Sequence, residues 1–509
     1  MSSATKTRFA WVPVLIVAAL VYLNSLSNPF VIDDRIVIFS NVAAVGDWTA
    51  RDVFGRDLFG DTHTGYFRPL TLATFVLNFS FAQDSPAGYR AVNIVLHVAV
   101  TALVMFLFFL VADRWVAILG GLIFSVHPVH VQAVAYISSR GELLFTLFGL
   151  MSLVCWHLSH GAECRWKWIW RASGFASFFV GLFAKETMIV FLVLVIAMDF
   201  ALFRGVSYLR WVRENIAWYV GFTGLFILYL GIRHWEGFPL ILESGLKLDF
   251  TARLLFALKL FALNFGLLFY PADLALFRVV PLPTTFFEWQ VFSGVGLILC
   301  LSAVTFVFWR IERCVSFGVL WFVVSVLPAL NLTLLNAPMM EHWLYLPSIG
   351  LTLAFVGTVH WIGKRVGDLQ RATVALCLLA LILSSRTFVR NFEWGDLVTV
   401  FSRNVELYPG HAKAWTWLGY GLASSGRYGE AIDAFRVSLK INPTIGGTWI
   451  GLGQVLLLAG EEKQAEEVFA AAVSLWPRFQ VVVENLKRCC PAANSTPLRS
   501  GGRDEAGEE

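Results

Sequence analysis

The 509-residue sequence predicts an all-α protein: a bundle of membrane-crossing helices followed by a short array of helical repeats. Three observations predict it. The chain is 57% hydrophobic and only 15% charged, where soluble domains carry roughly a quarter charged residues. Twelve apolar stretches near bilayer-spanning length fill its first three quarters, and a fixed 34-residue period occupies most of the rest.

The composition excludes several classes. With 35 Asp and Glu against 39 Lys and Arg, charge cannot cover the surface of a soluble protein this long. The net charge of +4 has no nucleic-acid signature, and only its distribution is informative. A disulfide scaffold is excluded too. Cys155, Cys164, Cys300, Cys314 and Cys377 lie in or beside apolar runs without metal-type spacing, and the adjacent Cys489 and Cys490 have no assigned role.

A membrane helix needs roughly 20 apolar residues. Candidates run over Phe9 to Leu26, Ala91 to Val111, Trp115 to Val126, Leu143 to Leu158, Trp168 to Ala184 and Met188 to Phe203. They continue over Ile216 to Ile232, Leu254 to Tyr270, Val291 to Trp309, Val315 to Leu335, Trp343 to Ile362 and Ala372 to Ser385. The first has no clean cleavage site before Asn28-Pro29-Phe30 and reads as a retained helix. Lys and Arg in short loops mark the cytoplasmic side. Lys6 and Arg8 place the N-terminus inside and the long loop 28–90 outside, and Arg165, Lys167, Arg171, Arg204, Arg210 and Arg213 fit the alternation. Arg310, Arg313, Lys364, Arg365 and Arg371 fit only if one intervening candidate does not cross. Leu254 to Tyr270, with Lys259 in mid-run, is the expected exception, because a cation is expensive in lipid. About 11 crossings remain, and the C-terminal region falls outside with loop 28–90.

Beyond residue 390 the periodicity takes over. Pro409, Pro443 and Pro477 repeat every 34 residues, as do Trp415/Trp449, Leu418/Leu452, Gly419/Gly453, Gly426/Gly460, Ala431/Ala465 and Phe435/Phe469. This is the tetratricopeptide pattern, a helix pair per repeat with small residues where the helices approach. Full repeats are expected at 410–443 and 444–477 within a domain 391–490. A preceding helix carries Trp394, Leu397, Phe401 and Val405, and Phe479 to Leu486 forms a closing cap. Residues 491–509 are polar, charged and Gly-rich, and are expected to be disordered.

Polar residues concentrate on the outer side. Adjacent Asp33 and Asp34, followed by Arg35, lie just past the first helix. They are either a solvated terminal pair or a general base whose pKa is raised by desolvation and a like charge. Arg68, set by Pro69, is a phosphate ligand or a lipid anchor. His127 and His130 are three apart but lack a third ligand, so no metal is expected. Arg140 and Glu142 open the next helix, Lys185 and Glu186 separate the fifth and sixth crossings, and Glu341, His342 and Tyr345 open the eleventh. Cations for phosphate and carboxylates for proton transfer at one depth suit a lipid-phosphate substrate, and Lys259 is a further candidate.

In order, Phe30-Val31-Ile32-Asp33-Asp34, Phe67-Arg68-Pro69-Leu70, the His127 to Glu142 block, Ala184-Lys185-Glu186 and Glu341-His342-Trp343-Leu344-Tyr345-Leu346-Pro347, followed by the repeats, resemble the transmembrane and tetratricopeptide-repeat O-mannosyltransferase family. That family lies within the GT-C class of polyprenyl-phosphate-sugar-dependent glycosyltransferases. The sequence departs from it at Gln132, where the family usually has Glu, and in its shorter array. The resemblance implies a GT-C-type transmembrane domain over 1–390 and a tetratricopeptide α-solenoid behind it. It also implies transfer of a sugar, possibly mannose, from a polyprenyl-phosphate carrier to a hydroxyl of a protein or glycan on the non-cytoplasmic face. Asp33 is the favoured base within the Asp33/Asp34 pair. Arg140, Lys185, Arg68 and Lys259 would contact the donor phosphate, and Arg35, His127, His130, Glu142, Glu186, Glu341, His342 and Tyr345 would line the substrate site. No cofactor or metal is expected beyond the donor lipid. Expected partners are that lipid, membrane lipids and an acceptor protein or peptide held by the repeats, with no nucleic acid. A bacterial inner membrane is favoured, or the endoplasmic reticulum membrane if the chain is eukaryotic. The alternatives are a non-catalytic membrane scaffold and a lipid-linked saccharide transporter.

The charge distribution makes a topological prediction. Reporter fusions at Trp48 and at Ala412 are expected on the same, non-cytoplasmic face, and opposite faces would exclude eleven crossings.

Overall fold

The computed structural model describes residues 11–60, 64–202, 208–239, 248–332, 335, 337–477, 480 and 484. Lys6, Arg8, Arg204, Cys489, Cys490, most of the Phe479 to Leu486 cap and the 491–509 tail lie outside the described residues. Each of the twelve apolar stretches contains a helix, and no strand occurs among the described residues.

The chain forms two units. In the first, α1 (Val12–Leu20) begins with Pro13 and runs through a 3-10 turn at Leu23–Ser27. It stops before Pro29, as the residue ahead of a proline disfavours helix. In the outer loop, α2 (Pro69–Ala82) starts on Pro69, and α3 (Pro86–Val111) starts on Pro86. Asp113 caps α4 (Arg114–Ser125) by accepting from Val116 N at 3.0 Å. At Pro128 the chain bends by 52° into a short helical segment, because proline removes a donor and cannot continue the ladder. Then follow α5 (Arg140–Gly161), α6 (Cys164–Leu182), α7 (Val190–Leu202), α8 (Tyr208–Trp235), α9 (Phe250–Phe269), α10 (Trp289–Ile311), α11 (Arg313–Val326), α12 (Tyr345–Val366) and α13 (Leu369–Glu393).

Eight helices among the described residues are long and apolar enough to cross a membrane, or nine if the bent α4 segment counts as one span. The α1 stretch is shorter, α7 has 13 residues, and α6 carries Arg165, Lys167 and Arg171. α9 meets the length and composition for crossing. Arg233, near the end of α8, donates to the Gly65 carbonyl of the outer loop at 2.9 Å. Near the end of α9, the Leu268 carbonyl accepts from His127 at 2.9 Å. Mid-helix Lys259 is neutralised by Glu288, 2.9 Å away. α9 therefore packs within the bundle, and its charge is paired rather than exposed to lipid.

Without a hydrophobic drive between helices in lipid, close packing at small residues holds such bundles. α11 and α12 meet at Gly318 and Gly350, where a Cβ on either would lie 2.5 Å from the other's carbonyl oxygen.

The second unit comprises Ala275–Val279 and Glu393–Glu509. Asn404 of α14 (Leu397–Leu407) brackets the Phe277 backbone, accepting from its N–H at 2.8 Å and donating to its carbonyl at 3.0 Å. Two helix pairs follow, α15 (Ala412–Ser424) with α16 (Tyr428–Ile441), and α17 (Gly446–Leu458) with α18 (Glu462–Leu475). The 34-residue period is a physical repeat: Trp415 donates to the Pro409 carbonyl at 2.8 Å, and Trp449 to the Pro443 carbonyl at 2.9 Å. Gly419 seats the Phe435 ring, where a Cβ would lie 2.9 Å from three ring atoms, and Gly453 seats Phe469 at 2.4 Å. Thr416 bridges the repeats, within 2.8 Å of the Ser438 hydroxyl and 2.7 Å of that of Thr448.

Gly419→Ala and Gly453→Ala should therefore destabilise the repeats by about 1–3 kcal/mol through overpacking. Gly429→Ala, with open space around it, should be neutral or stabilising by up to about 1 kcal/mol. Hydrogen exchange of α15 to α18 amides in the full chain reads both; equal protection in all three variants would contradict the packing.

Candidate active site

A buried guanidinium positions the first outer loop. Arg90 donates to the carbonyls of Asn28 and Pro29, and at 2.9 Å to that of Ala135. The far side of the loop is held by Asn28, which donates to the Asn391 carbonyl at 2.8 Å. Between these clamps Ile32 has φ +40°, a conformation that is costly for a β-branched residue.

The two carboxylates that follow have different surroundings. Asp34 is fully buried and accepts from Val31 N at 3.2 Å and Ser138 N at 2.8 Å. Burial pushes its pKa up to about 6, against Arg90 and the two backbone donors, while the charge of Asp33 adds to the rise. Asp33 is partly exposed, with the Tyr136 hydroxyl as hydrogen-bond partner. Burial raises its pKa too, and the Tyr136 bond opposes this. Tyr136 stays protonated because burial, with the charges of Asp33 and Asp34, raises its pKa well above the ordinary phenol value. Asp34 thus fixes the loop, and Asp33 is the more exposed of the two carboxylates. Arg35 is exposed.

A second group forms where α2 begins. Leu70 N donates to the Phe183 carbonyl at 3.0 Å and Thr71 Oγ1 to that of Ala184 at 3.0 Å, docking α2 on the turn that carries Lys185 and Glu186. Glu186 pairs with Arg68 at 3.1 Å, and the Arg68 guanidinium lies 4.5 Å from the Tyr66 ring centre. Lys185 pairs with Glu142, which lies 3.8 Å from His342 Nε2. Burial alone would lower the Arg68 pKa, but Glu186 raises it above the ordinary value. Burial would raise that of Glu186, but Arg68 and Lys185 pull it down to about 2. Asp33 belongs to the same electrostatic neighbourhood, since its charge and those of Arg68 and Glu186 all act on Tyr66. Gln132 accepts from His342 N at 3.0 Å, and Glu341 pairs with Arg390 at 3.4 Å.

Other predicted site residues serve the scaffold. Arg140 was expected to face phosphate, but its guanidinium is fully buried and surrounded by protein acceptors. It donates to Asn93 Oδ1 at 2.8 Å, Asn78 Oδ1 at 2.7 Å, the Tyr89 carbonyl at 3.1 Å and the Thr74 carbonyl at 3.1 Å. It also stacks over Phe75, so no donor remains for a ligand. Lys259 is paired with Glu288 at 2.9 Å, a carboxylate partner like those of Arg68 and Lys185. His127 uses both ring nitrogens on backbone, Nε2 on the Leu268 carbonyl and Nδ1 on Val129 N at 3.3 Å. His130 meets Ser348 Oγ at 2.8 Å, and Tyr345 meets His97 at 2.8 Å, in a buried layer. Among the described residues, no three His, Cys, Asp or Glu side chains group as metal ligands.

Sequence reasoning did not assign Arg90, Asn93 or Tyr136. Arg90 had a signal, a cation one residue ahead of an apolar run.

Comparison with known proteins finds similar sequences. The tetratricopeptide repeat model matches residues 412–445. Protein O-mannosyl-transferase F38B6.6 of Caenorhabditis elegans is 27% identical over 435 residues, covering 80% of this chain and 59% of the relative. The chain is similar to several proteins named as O-mannosyl-transferases. Human protein O-mannosyl-transferase TMTC2 is 36% identical over 157 residues, covering 29% of this chain and 19% of that protein. Human TMTC4 is 26% identical over 474 residues, covering 81% and 63%. The chain therefore spans less than two thirds of the length of these relatives. The archaeal oligosaccharyltransferase AglB from Archaeoglobus fulgidus superposes with a TM-score of 0.42 and 12% identity, covering 83% of this chain and 59% of AglB.

The two carboxylates should separate on substitution. Asp33→Asn should lower turnover by about 10²-fold or more, as loss of a general base does. Asp34→Asn keeps one accepting oxygen and should cost less than tenfold, whereas Asp34→Ala frees Val31 and Ser138 and should lose activity together with protease resistance of the 28–90 loop. Equal tolerance of Asn at both positions would remove Asp33 from the chemistry.

Proposed function

We propose that this protein is a membrane glycosyltransferase that moves a sugar from a polyprenyl-phosphate carrier to an acceptor hydroxyl on the non-cytoplasmic face. The observation that carries the reading is Asp33: a partly exposed carboxylate of raised pKa, fixed by Asp34, Ile32 and Arg90, in the electrostatic neighbourhood of Arg68. The names of the curated relatives, protein O-mannosyl-transferases, favour mannose as the sugar.

The mechanism follows from these groups. The acceptor oxygen attacks the anomeric carbon as its proton passes to Asp33, and the carbon–oxygen bond to phosphate breaks through an oxocarbenium-like transition state. Phosphate takes the bonding electron pair, and Arg68 and Lys185 stabilise the charge that develops on it. Glu186 and Glu142 hold those cations in place until the donor arrives. Tyr136 orients Asp33. The tetratricopeptide repeats supply a groove of stacked helices for an extended acceptor segment.

The test is transfer from a polyprenyl-phosphate sugar by the purified full chain. Turnover should rise with pH through the Asp33 pKa, because only the ionised carboxylate accepts a proton, and this acid limb should lie above the ordinary carboxylate range. Asp33→Asn should abolish both turnover and limb; a limb unchanged in that variant would reject Asp33 as base. Removing Gly410 to Glu509 should spare transfer to a short soluble acceptor and reduce modification of full-length protein, and equal loss of both would reject acceptor capture by the repeats.

A further inference from the structure

The end of the bundle remote from Asp33 holds a second polar site. From Arg90, which clasps the Asp33 loop, α3 runs to Val111, 21 residues on (111 − 90 = 21), or about 32 Å at the helical rise. There a cavity of about 350 Å³ opens beside the C-terminal ends of α3, α7 and α12 and the single-residue turn between α10 and α11. That volume lies at the lower end of the range for small-molecule pockets.

Its depth is marked by aromatic and basic residues, the usual furniture of a membrane–water interface. Trp115 stacks on His360 at 4.8 Å, Arg313 lies 5.7 Å from the Trp309 ring, and Arg365 lies 5.6 Å from that of Trp361. Arg310, Arg313, Lys364, Arg365 and Arg371 make this the cytoplasmic end by the positive-inside rule.

The charges around the cavity are unevenly satisfied. Asp113 is spent: one oxygen caps α4, and the other takes His360 at 3.1 Å and Lys364 at 3.4 Å. Glu312, which lines the cavity partly exposed, acts on His360 through its charge without an ion pair among the described residues. Arg313 likewise makes none, reaching only the Ala201 carbonyl at 3.4 Å. Lys364 is half exposed and held only at the edge of hydrogen-bond range. A simple cation here would face Arg313 and Lys364, and a simple anion would face Glu312. The complementary ligand carries both charges, a phosphodiester for the two cations and a primary ammonium for the carboxylate. Exposed Ile311 and Val366 adjoin the charged residues and offer apolar surface to acyl chains.

We propose that this cavity binds the head group of an aminophospholipid of the inner leaflet, phosphate on Arg313 and Lys364 and ammonium on Glu312. The site is separate from the glycosyl-transfer reading, and its test needs no turnover.

The full-length protein is exchanged into micelles containing equal amounts of phosphatidylethanolamine, phosphatidylglycerol and phosphatidylcholine, and retained lipid is counted by native mass spectrometry. Phosphatidylethanolamine should be retained about tenfold over the other two, a difference of about 1.4 kcal/mol. Glu312→Gln should abolish that preference while leaving phosphatidylglycerol binding intact. Lys364→Gln, a change at an exposed side chain that leaves packing alone, should cut bound phospholipid several-fold, and Arg313→Gln should do the same. Equal retention of the three lipids, or variants that retain phosphatidylethanolamine like the parent, would overturn the proposal. So would displacement of the lipid by an equal concentration of soluble glycerophosphoethanolamine, which would make a free phosphoamine the ligand.

Discussion

The clasp of Arg90 on three backbone carbonyls is the interaction on which the outer site depends. Arg90 is buried, and its hydrogen-bond partners in the clasp are neutral oxygens from the first outer loop and from the connection between α4 and α5. Two segments more than a hundred residues apart are thereby held against each other at the start of α3. Because both sides are pinned, the chain tolerates Ile32 at φ +40°, a conformation that costs about 1–3 kcal/mol and persists only where surroundings over-determine it. That turn places the Asp34 carboxylate against Ser138 N and leaves Asp33 beside Tyr136.

The cations of the outer region divide by the kind of acceptor they meet. Arg90 and Arg140 are bonded to carbonyl and amide oxygens, which engage all three nitrogens of each planar guanidinium and lock helices together. Arg68 and Lys185 are bonded to carboxylates, partners that another anion can replace. The first kind is architecture, and its removal would strand buried acceptors. The second kind has chemistry to offer.

Local regularities were legible in the sequence. Apolar runs located twelve of the thirteen numbered helices of the first unit, all but α2, and the spacing of Pro, Trp, Gly and Phe located both helix pairs of the second. What could not be read was the surroundings of individual charges. The difference between Asp33 and Asp34 depends on Ser138, 104 residues further on. Arg140 resembled a substrate ligand because nothing along the chain reveals that Asn78, Asn93, Tyr89 and Thr74 converge on it. Arg90 stood one residue outside an apolar run and so escaped attention as a charge at membrane depth.

Lys185 and Glu186 are neighbours in the chain that turn to opposite partners, one to Glu142 and the other to Arg68. The row alternates in sign and is neutral as a whole, so it presents no standing field to draw an anion in. On the proposed reading, an incoming phosphate competes with resident carboxylates for the same cations, which lowers its net affinity without weakening the contacts made once it is seated. The same carboxylates stand ready to reclaim their partners when the spent phosphate loosens. For the proposed donor, a row arranged this way favours exchange over storage: it would trade tight holding of the carrier lipid for speed in letting it go.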